Sequence, residues 1–314
     1  MRHVIGIDLG GSHVSAGVVA EGGEIVDQHQ QDITDHDFEA VLAVVEAVVR
    51  PVIKSAKDVA CIGLGSPGNI DRKTGEVLYS PNFGWHNVPL GARLQKIFDR
   101  PVFVGNDARC ATLGEYTFGT GRGTKDFVLL TLGTGIGGGI VSGGALLRGN
   151  KMGAGEIGHH QIRPADGFVC GCGKTGCFEA QASGTALIRH ASAVASSFPR
   201  STLLRKDPEK LGSKAIRKAA QAGDQHALVA WKNYCADLAI GLANIIAFVN
   251  PEVIALGGGV SSAGKFMLES VEARTDELTT MVPKGTTKIV IAKLGNDAGL
   301  VGAATMALRG GLKT

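Results

Sequence analysis

The sequence carries little net charge. Its 32 lysines and arginines nearly balance 29 aspartates and glutamates, which leaves a formal charge of +3 at pH 7 over 314 residues. No run of Lys or Arg stands out, and a surface for nucleic acid usually needs such a cluster. The balance favours small-molecule partners, and we expect no nucleic acid among them.

The sequence also has little that would direct it to a membrane. The first residues, MRHVIGIDLGG, reach Gly and Asp before the apolar core of a signal peptide could form. The most apolar stretch, residues 238–249 (LAIGLANIIAFV), is too short to cross a bilayer and predicts a buried helix. We expect a cytoplasmic protein with no membrane association, in which six reduced cysteines favour metal binding over disulfides.

The chain is longer than one hydrophobic core usually accommodates. It is 44% hydrophobic and 19% charged, as globular proteins are, and its 46 glycines indicate many tight turns. We expect a small N-terminal domain over residues 1–117 and a larger domain over residues 118–298, with a cleft between them. A C-terminal helix within residues 299–314 is expected to pack back on the first domain.

A unit of strand, glycine turn and strand occurs twice. Residues 3–19 read HVIGIDLGGSHVSAGVV and residues 127–142 read FVLLTLGTGIGGGIVS, with Asp8 aligned to Thr131 and Gly10 to Gly133. Either segment alone is a common glycine hairpin, but the shared register favours two related halves that face each other.

The rest of the chain alternates between predicted strands and helices. Helices are predicted at residues 38–54, 108–116 and 299–308 and over most of 184–249, apart from a polar loop at 200–214. Strands are predicted at residues 59–65 and 101–106, and a further strand with a glycine turn at 253–260. This alternation indicates an α/β protein.

The two glycine turns suit phosphate binding, because backbone N–H groups can approach phosphate oxygens where no Cβ intervenes. Two such turns facing each other could hold one polyphosphate. Asp8 lies just before the first turn, where a carboxylate can hold Mg²⁺, usually through water. Neither turn has the Walker spacing or opens a GxGxxG helix, so P-loop and Rossmann binding are not supported.

Asn106 and Asp107 follow a predicted strand, at the edge of an α/β sheet where ligands collect. The sequence leaves two interpretations of Asp107 open. It caps the helix predicted from Ala108, a frequent role for Asp. Alternatively, it accepts the proton of a hydroxyl that attacks a γ-phosphoryl group.

Glu156 and His159 stand three residues apart in the stretch GAGEIGHH. One interpretation is a surface pair on a turn. The other is that both side chains contact one polyol, with the carboxylate accepting hydrogen bonds from its hydroxyls and the imidazole donating or accepting one.

Cys170, Cys172 and Cys177 are separated mostly by glycines. Such a chain can wrap a tetrahedral ion, and three Cys with one His is a usual shell for structural zinc. His159 and His160 are both near enough in sequence to be the fourth ligand. Three cysteines without a metal in a reduced loop are the alternative.

These stretches together resemble the ROK family (repressors, open reading frames and kinases). The matching motifs run in family order along essentially the whole chain: residues 8–12 (DLGGS), 65–68 (GSPG), 82–85 (NFGW), 106–107 (ND), 132–139 (LGTGIGGG), 156–159 (EIGH), 170–179 (CGCGKTGCFE) and 256–259 (LGGG). The resemblance implies an actin-like fold of two RNase H-like domains. It also implies ATP and Mg²⁺ in the cleft and a hexose that is phosphorylated at its 6-hydroxyl.

The resemblance implies roles for individual residues, with Asp107 as the general base. The sugar would be bound by Gly65, Ser66, Asn82, Asn106, Asp107, Glu156, His159 and Glu179. The ATP side would comprise Asp8, Gly10, Gly11, Ser12, His13, Thr134, Gly135, Gly137 and Gly138 near the phosphates, and Gly257, Gly258 and Gly259 near the adenosine. A structural zinc ion would be held by His159, Cys170, Cys172 and Cys177, and Mg²⁺ by Asp8, through water.

The chain departs from the family pattern in two places. His13 stands where the family often has Lys, which leaves a cation contact from this side chain open. The family's usual spacing to the first cysteine selects His160, whereas its Glu-x-Gly-His motif selects His159. The family also commonly has Pro five residues after the ligand His, and Pro164 fits His159. We therefore expect His159 as the metal ligand.

The leading hypothesis is an ATP-dependent hexose kinase with glucose as its best substrate. Kinases of N-acylhexosamines, mannose or fructose are the rivals within the family, and ADP or polyphosphate are alternative phosphoryl donors. Family repressors carry an N-terminal helix-turn-helix domain, for which we expect no room ahead of Asp8. The resemblance further implies a homodimer or homotetramer.

Overall fold

The first part of the chain forms one large and one small sheet. The computed structural model describes residues 3–56, 58–201, 203 and 212–310. The first elements are β1 (His3–Leu9), β2 (His13–Val19), β3 (Ile25–Asp32), α1 (Phe38–Ser55), β4 (Val59–Ser66), β5 (Asn69–Asp71), β6 (Glu76–Ser80), β7 (Trp85–Val88), α2 (Leu90–Phe98), β8 (Val102–Asn106) and α3 (Asp107–Phe118). The larger sheet has the order β3-β2-β1-β4-β8, and β5-β6-β7 form the smaller one.

The second part of the chain builds another five-stranded sheet. Its elements are β9 (Phe127–Leu132), β10 (Ile136–Ser142), β11 (Ala145–Leu146), α4 (Phe178–Ala182), α5 (Gly184–Ala193), α6 (Ser213–Gln221), α7 (Gln225–Val249), β12 (Val253–Gly257), α8 (Lys265–Leu278), β13 (Lys288–Ile291) and α9 (Ala298–Leu308). The strand order is β11-β10-β9-β12-β13. The predicted α/β class is confirmed.

The two large sheets share one topology. Each begins with an antiparallel hairpin around a glycine turn, and the first strand of that hairpin then pairs in parallel with a later strand. Asp8 lies opposite Gly65 on that later strand, as Thr131 lies opposite Gly257. The alignment of Asp8 with Thr131 therefore holds in three dimensions.

Helix α9 lies against the first sheet, where it contacts β1, β4 and α3. Glycine makes this close approach possible. A Cβ on Gly6 would overlap the carbonyl of Leu300, and a Cβ on Gly63 would overlap that of Ala303. The helix predicted at residues 299–308 is α9, which begins one residue earlier, at Ala298. Residues 311–314 of the predicted C-terminal segment lie outside the described residues.

Helix α7 runs through the core of the second half, against α5, α6 and α8. Tyr234, Leu238 and Leu242 on it are fully buried. Among the described residues, one helix, α7, has the length and apolar composition that a membrane span needs, and 56% of its most apolar window is buried inside the protein. The helix predicted at residues 238–249 is the second half of α7; its buried residues end at Ile246, and Phe248 is 80% exposed, so the expectation of a buried helix was wrong for its last turn.

Other predicted boundaries also differ from the structure. Helix α3 starts at Asp107, one residue before the predicted start, because the side chain of Asn106 accepts the N–H of Arg109 and caps it. The polar loop predicted at residues 200–214 ends earlier, since α6 begins at Ser213. Residues 202 and 204–211 of that loop lie outside the described residues.

Candidate active site

The first glycine turn joins β1 to β2; one backbone hydrogen bond closes it, and residues from outside the hairpin contact it. The N–H of Gly10 donates to the carbonyl of His13 at 2.9 Å. Nε2 of His36 donates to the carbonyl of Gly11 at 2.9 Å. Gly11 faces Asn82, whose Nδ2 would lie 3.3 Å from a Cβ at Gly11. The predicted sugar residue Asn82 is thus a direct neighbour of the predicted phosphate turn.

His36 also fixes the segment that carries Asn82. Nε1 of Trp85 donates to the carbonyl of His36 at 2.8 Å, and the His36 ring meets Phe83 edge-on at 5.3 Å. Phe83 and Trp85 stack with their ring centroids 4.4 Å apart. Sequence reasoning missed His36, because its contacts with Gly11 and Trp85 join residues 25 and 49 positions away.

The second glycine turn joins β9 to β10 and is supported by α4 and α5. The N–H of Gly133 donates to the carbonyl of Gly135 at 3.0 Å, which closes the turn. Thr134, at its tip, is exposed. The predicted contacts Gly137 and Gly138 lie beyond the turn in β10, where they pair with β9. Their contact with phosphate stays a prediction.

The third glycine stretch lies behind the second turn. Gly257 ends β12, and Gly258 has a φ of +81°, which favours glycine. A Cβ on Gly258 would come within 2.7 Å of the backbone of Leu132, next to the turn residue Gly133. The residues predicted near the adenosine therefore adjoin those predicted near the phosphates.

Asp8 and Asp107 lie at the same edge of the first sheet, on either side of β4. Asp8 is opposite Gly65, and Asn106, which precedes Asp107, is opposite Ser66. Burial, and secondarily the charge of Asp107, raises the pKa of Asp8 from 3.8 to about 7. Burial also raises the pKa of Asp107, as does the nearby charge of Glu156. Two poorly solvated carboxyls whose charges interact favour a shared proton or a bound cation.

Asp107 is the first residue of α3, and the capping role belongs to its neighbour. Oδ1 of Asn106 accepts the N–H of Arg109 at 3.1 Å, and its Nδ2 donates to the carbonyl of Gly68 at 3.2 Å. Oδ1 of Asp107 accepts the N–H of Ala108 at 2.8 Å. The interpretation of Asp107 as the helix cap was wrong, because Asn106 occupies that position.

Arg109 was missed by sequence reasoning and connects α3 to the loop that carries Glu156. Its side chain is only 4% exposed, and Nη2 donates to Oε1 of Glu156 at 3.1 Å. Both Nε and Nη2 donate to the carbonyl of Ala154, at 3.2 and 2.7 Å. The Glu156 side chain is 60% exposed. Arg109 therefore orients Glu156 without covering it, so the carboxylate can accept hydrogen bonds from a ligand.

His159 and the three clustered cysteines form one potential metal site. Their ligand atoms all lie within 4.8 Å of one another. Nδ1 of His159 is 3.8 Å from Sγ of Cys170, and the sulfurs of Cys172 and Cys177 are 3.6 Å apart. Three thiols and one imidazole match the donor set of structural zinc. Burial raises the pKa of Cys170 to about 12, so a cation is needed to hold it as a thiolate at neutral pH.

His160 points away from this cluster. Its Nδ1 donates to the carbonyl of Ile157 at 2.6 Å, and its ring packs at a tilt against Phe178, with centroids 5.2 Å apart. A short 3₁₀ helix, Ile157–His159, ends between the two histidines and turns them in different directions. The arrangement favours His159 over His160, as expected from Pro164.

Glu179 lies between the cysteine cluster and the second glycine turn. Its Oε2 accepts the N–H of Ile136 at 2.9 Å. Its Oε1 lies 3.6 Å from Sγ of Cys170, which donates to it. The carboxylate packs closely against Gly135, where a Cβ would come within 2.3 Å of Oε2 and displace it. Its predicted contact with sugar stays a prediction.

The ROK family model matches residues 4–309. The chain belongs to the ROK family. It is 38% identical to the glucokinase of Thermotoga maritima over 308 residues, which cover 96% of each chain. The solved ROK family glucokinase of Streptomyces griseus, in complex with glucose and AMPPNP, is 36% identical with a TM-score of 0.87 over 98% of this chain and 99% of that one.

A second solved structure extends the comparison. The ROK hexokinase of Thermus thermophilus is 33% identical, with a TM-score of 0.81 over 99% of this chain and all of that one. The family resemblance predicted from the motifs is thereby confirmed, as is the actin-like fold.

Proposed function

We propose that this protein transfers the γ-phosphoryl group of ATP to the 6-hydroxyl of glucose, with Asp107 as the general base. The chain is a sugar phosphotransferase, given its likeness over full length to glucokinases and to a hexokinase. The single observation that carries the finer proposal is Asp107, a carboxylate with a raised pKa beside Asp8 and the first glycine turn. Because Asn106 caps α3, Asp107 is available for another role.

The proposed step is an in-line displacement at the γ-phosphorus. The sugar 6-oxygen forms a bond to phosphorus while the bond from phosphorus to the β,γ-bridging oxygen breaks, and ADP leaves. Asp107 accepts the hydroxyl proton at its carboxylate. A raised pKa makes Asp107 a stronger base than an ordinary aspartate once it is ionised.

Asp8 would hold Mg²⁺, usually through water, next to the bound phosphates. The fit rests on two carboxyls whose charges interact, Asp8 near the end of β1 and Asp107 at the start of α3, since Mg²⁺ prefers oxygen ligands. When bound, the ion supplies positive charge to the β- and γ-phosphate oxygens. Because the pKa of Asp8 is about 7, a fraction of the protein molecules carries a proton on Asp8 at neutral pH. Binding of the cation displaces that proton.

The sugar contacts are proposed from Glu156, whose charge acts on Asp107, and from His159, three residues further along the chain. Arg109 holds Glu156 with its carboxylate exposed. His159 would bind zinc through Nδ1, which faces the cysteines, and would keep Nε2 for a sugar hydroxyl. The zinc ion is then structural, because four protein ligands leave no open position for water.

The direct test is a coupled assay with MgATP and a panel of sugars. We expect the highest kcat/KM for glucose, ahead of mannose, fructose and the N-acetylhexosamines. A single misplaced hydrogen bond to the 2-hydroxyl costs roughly 1–3 kcal/mol, so the preferred sugar should exceed its 2-epimer by about tenfold. A higher value for an N-acetylhexosamine would replace glucose as the substrate, and no transfer to any sugar would refute the proposal.

The coupled assay also compares phosphoryl donors, and we expect a higher kcat/KM for ATP than for ADP or polyphosphate.

The zinc site is tested separately. Metal analysis should find one zinc ion per chain, and a chelator that removes it should weaken glucose binding, because His159 and the cluster share the same loop. Glucose affinity that is unchanged after zinc removal would contradict the structural role.

We propose that sugar and nucleotide are the partners of this chain and that nucleic acid is not. A gel shift at physiological salt should show no retention of DNA. Light scattering is expected to give the mass of a dimer or tetramer, as the family resemblance implies.

A further inference from the structure

The segment from Cys177 to Thr185 touches both the cysteine cluster and the second glycine turn. We call residues 177–185 the bridging segment. It comprises Cys177, which is the last cysteine of the cluster, all of α4 and the start of α5. Most of the segment is buried. The role proposed above for the cysteines is to support the sugar-binding residue His159. The bridging segment also contacts the second glycine turn, which is predicted to bind the phosphates of ATP.

Three residues of the bridging segment hold the second turn. Oε2 of Glu179 accepts the N–H of Ile136 at 2.9 Å. The N–H of Gly184 donates to the carbonyl of Gly133 at 2.7 Å. Oγ1 of Thr185 donates to the carbonyl of Thr134 at 2.9 Å. A Cβ on Gly184 would approach the same Gly133 carbonyl to 2.8 Å, so the turn rests directly on the start of α5.

The other end of the bridging segment is fixed at the cluster. Cys177 pairs with Gln161 in an isolated bridge, and the N–H of Phe178 donates to the carbonyl of His160 at 2.8 Å. The thiol of Cys177 reaches the carbonyl of His159 at 3.7 Å. Oε1 of Glu179 lies 3.6 Å from the Cys170 sulfur, so a change of charge in the cluster acts directly on the carboxylate that holds the turn.

We infer that the bridging segment couples the cysteine cluster to the second glycine turn, so that a metal bound at the cluster strengthens nucleotide binding. Thr185 acts in this coupling as a positioning residue for the turn. This inference rests on the proposed function only in taking the second turn as a phosphate site. Its physical basis is that backbone N–H groups bind phosphate well only when the turn that carries them is held in one conformation.

Thr185 is the cleanest position for a test, because its hydroxyl contacts the turn and lies outside the predicted sugar and metal residues. Thr185→Val removes the hydroxyl at nearly constant volume, and Thr185→Ser keeps it. A matched control is Thr287→Val, which removes a hydroxyl that donates to the carbonyl of Pro251 at 2.7 Å. Pro251 follows α7 and Thr287 precedes β13, so this hydrogen bond does not involve the second turn. All three variants keep the cysteine cluster intact.

Affinity for AMPPNP is measured by calorimetry, and KM for ATP and for glucose by the coupled assay. We expect Thr185→Val to weaken AMPPNP binding and raise KM for ATP by roughly two- to tenfold, the effect of one lost hydrogen bond. KM for glucose should stay within about twofold in the same variant. Thr185→Ser and Thr287→Val should bind AMPPNP as the unsubstituted protein does. Unchanged AMPPNP affinity in Thr185→Val, or equal losses for both ligands, would overturn the role of Thr185.

Metal removal provides the second measurement. In chelator-treated protein that keeps its circular dichroism spectrum, AMPPNP affinity should fall, and amide exchange at residues 133–136 should accelerate. AMPPNP affinity unaffected by the chelator would overturn the coupling and leave the kinase proposal intact. Absence of transfer to every sugar, with AMPPNP binding that still responds to the metal and to Thr185→Val, would refute the kinase proposal and leave the coupling intact.

Discussion

Replacement of Asp8 by Asn is expected to stabilise the ligand-free protein above pH 7 while it impairs catalysis. In the folded protein, burial and the charge of Asp107 raise the pKa of Asp8 from 3.8 to about 7. Between these two values the folded state binds more protons than the unfolded state. The stability contributed by this group is therefore complete below pH 3.8 and is lost as the pH rises toward 7 and beyond.

The size of the effect follows from the two pKa values. A difference between 3.8 and about 7 corresponds to about 4 kcal/mol, at about 1.4 kcal/mol per pH unit. Water that enters the cleft and relaxation around Asp107 reduce this figure, so we expect Asp8→Asn to raise the free energy of unfolding at pH 8 by about 1–4 kcal/mol. At pH 4 the two proteins should differ much less, because Asp8 is then protonated in the folded state and already about 40% protonated in the unfolded state, where its pKa is 3.8.

Chemical unfolding without Mg²⁺ or nucleotide, followed by circular dichroism from pH 4 to 9, measures this difference. Activity with MgATP should fall by at least about tenfold in Asp8→Asn, because a bound metal ion supplies several kcal/mol of transition-state stabilisation. A variant less stable than the unsubstituted protein at pH 8, or a difference that does not change with pH, would refute the reasoning.

Two further substitutions test the packing around the site. Gly299→Ala puts a Cβ within 2.5 Å of the Asp8 carboxylate, so we expect kcat to fall by about tenfold or more as the carboxylate shifts. The control is Gly22→Ala, whose Cβ would meet nothing within 4 Å. Equal kcat values for the two variants would contradict the contact between residue 299 and Asp8. Asp237→Ala removes a buried carboxylate that accepts a hydrogen bond from Nε of Arg163 at 2.6 Å and lies 3.5 Å from Nε2 of His190. Because the Arg163 side chain is 38% exposed and also approaches Asp166, we expect the free energy of unfolding to fall by about 1–3 kcal/mol, the cost of lost hydrogen bonds to a charged group. A loss under about 0.5 kcal/mol, as for a surface pair, would contradict a stabilising role for Asp237.

The parts of the site that could be predicted from sequence are those whose chemistry is local. A glycine turn after a buried strand, an acid at the end of a strand and three cysteines separated by glycines can each be recognised within about ten residues of sequence. The register of the repeated unit also placed Asp8 and Thr131 at equivalent positions, because strand pairing follows the hydrophobic pattern.

The parts that were missed depend on contacts between distant residues. Arg109 reaches Glu156 across 47 positions, and His36 reaches Gly11 across 25. Neither spacing follows a helical or strand period, so no local pattern points to them. The start of α3 was predicted one residue too late, because Asn106 and Asp107 are both good capping residues and only the fold decides between them.

The choice between His159 and His160 shows the same limit on a smaller scale. The two side chains are adjacent in sequence, and the 3₁₀ turn that ends at His159 sends one ring to the cysteines and the other to Phe178. The family's spacing to the first cysteine selected His160 and its Glu-x-Gly-His motif selected His159. Pro164, five residues after His159, favoured His159, which is the histidine that lies with the cysteines.

The central claim is that Asp107 takes the proton from the sugar hydroxyl. Asp107→Asn removes the basic carboxylate and keeps the size and hydrogen-bonding capacity of the side chain, and Asp276→Asn on the exposed face of α8 is the matched control. Single-turnover transfer from ATP to glucose should slow by about 10²- to 10⁴-fold in Asp107→Asn, with glucose affinity retained and the control unaffected. A loss of less than about tenfold would contradict the assignment of Asp107 as the base.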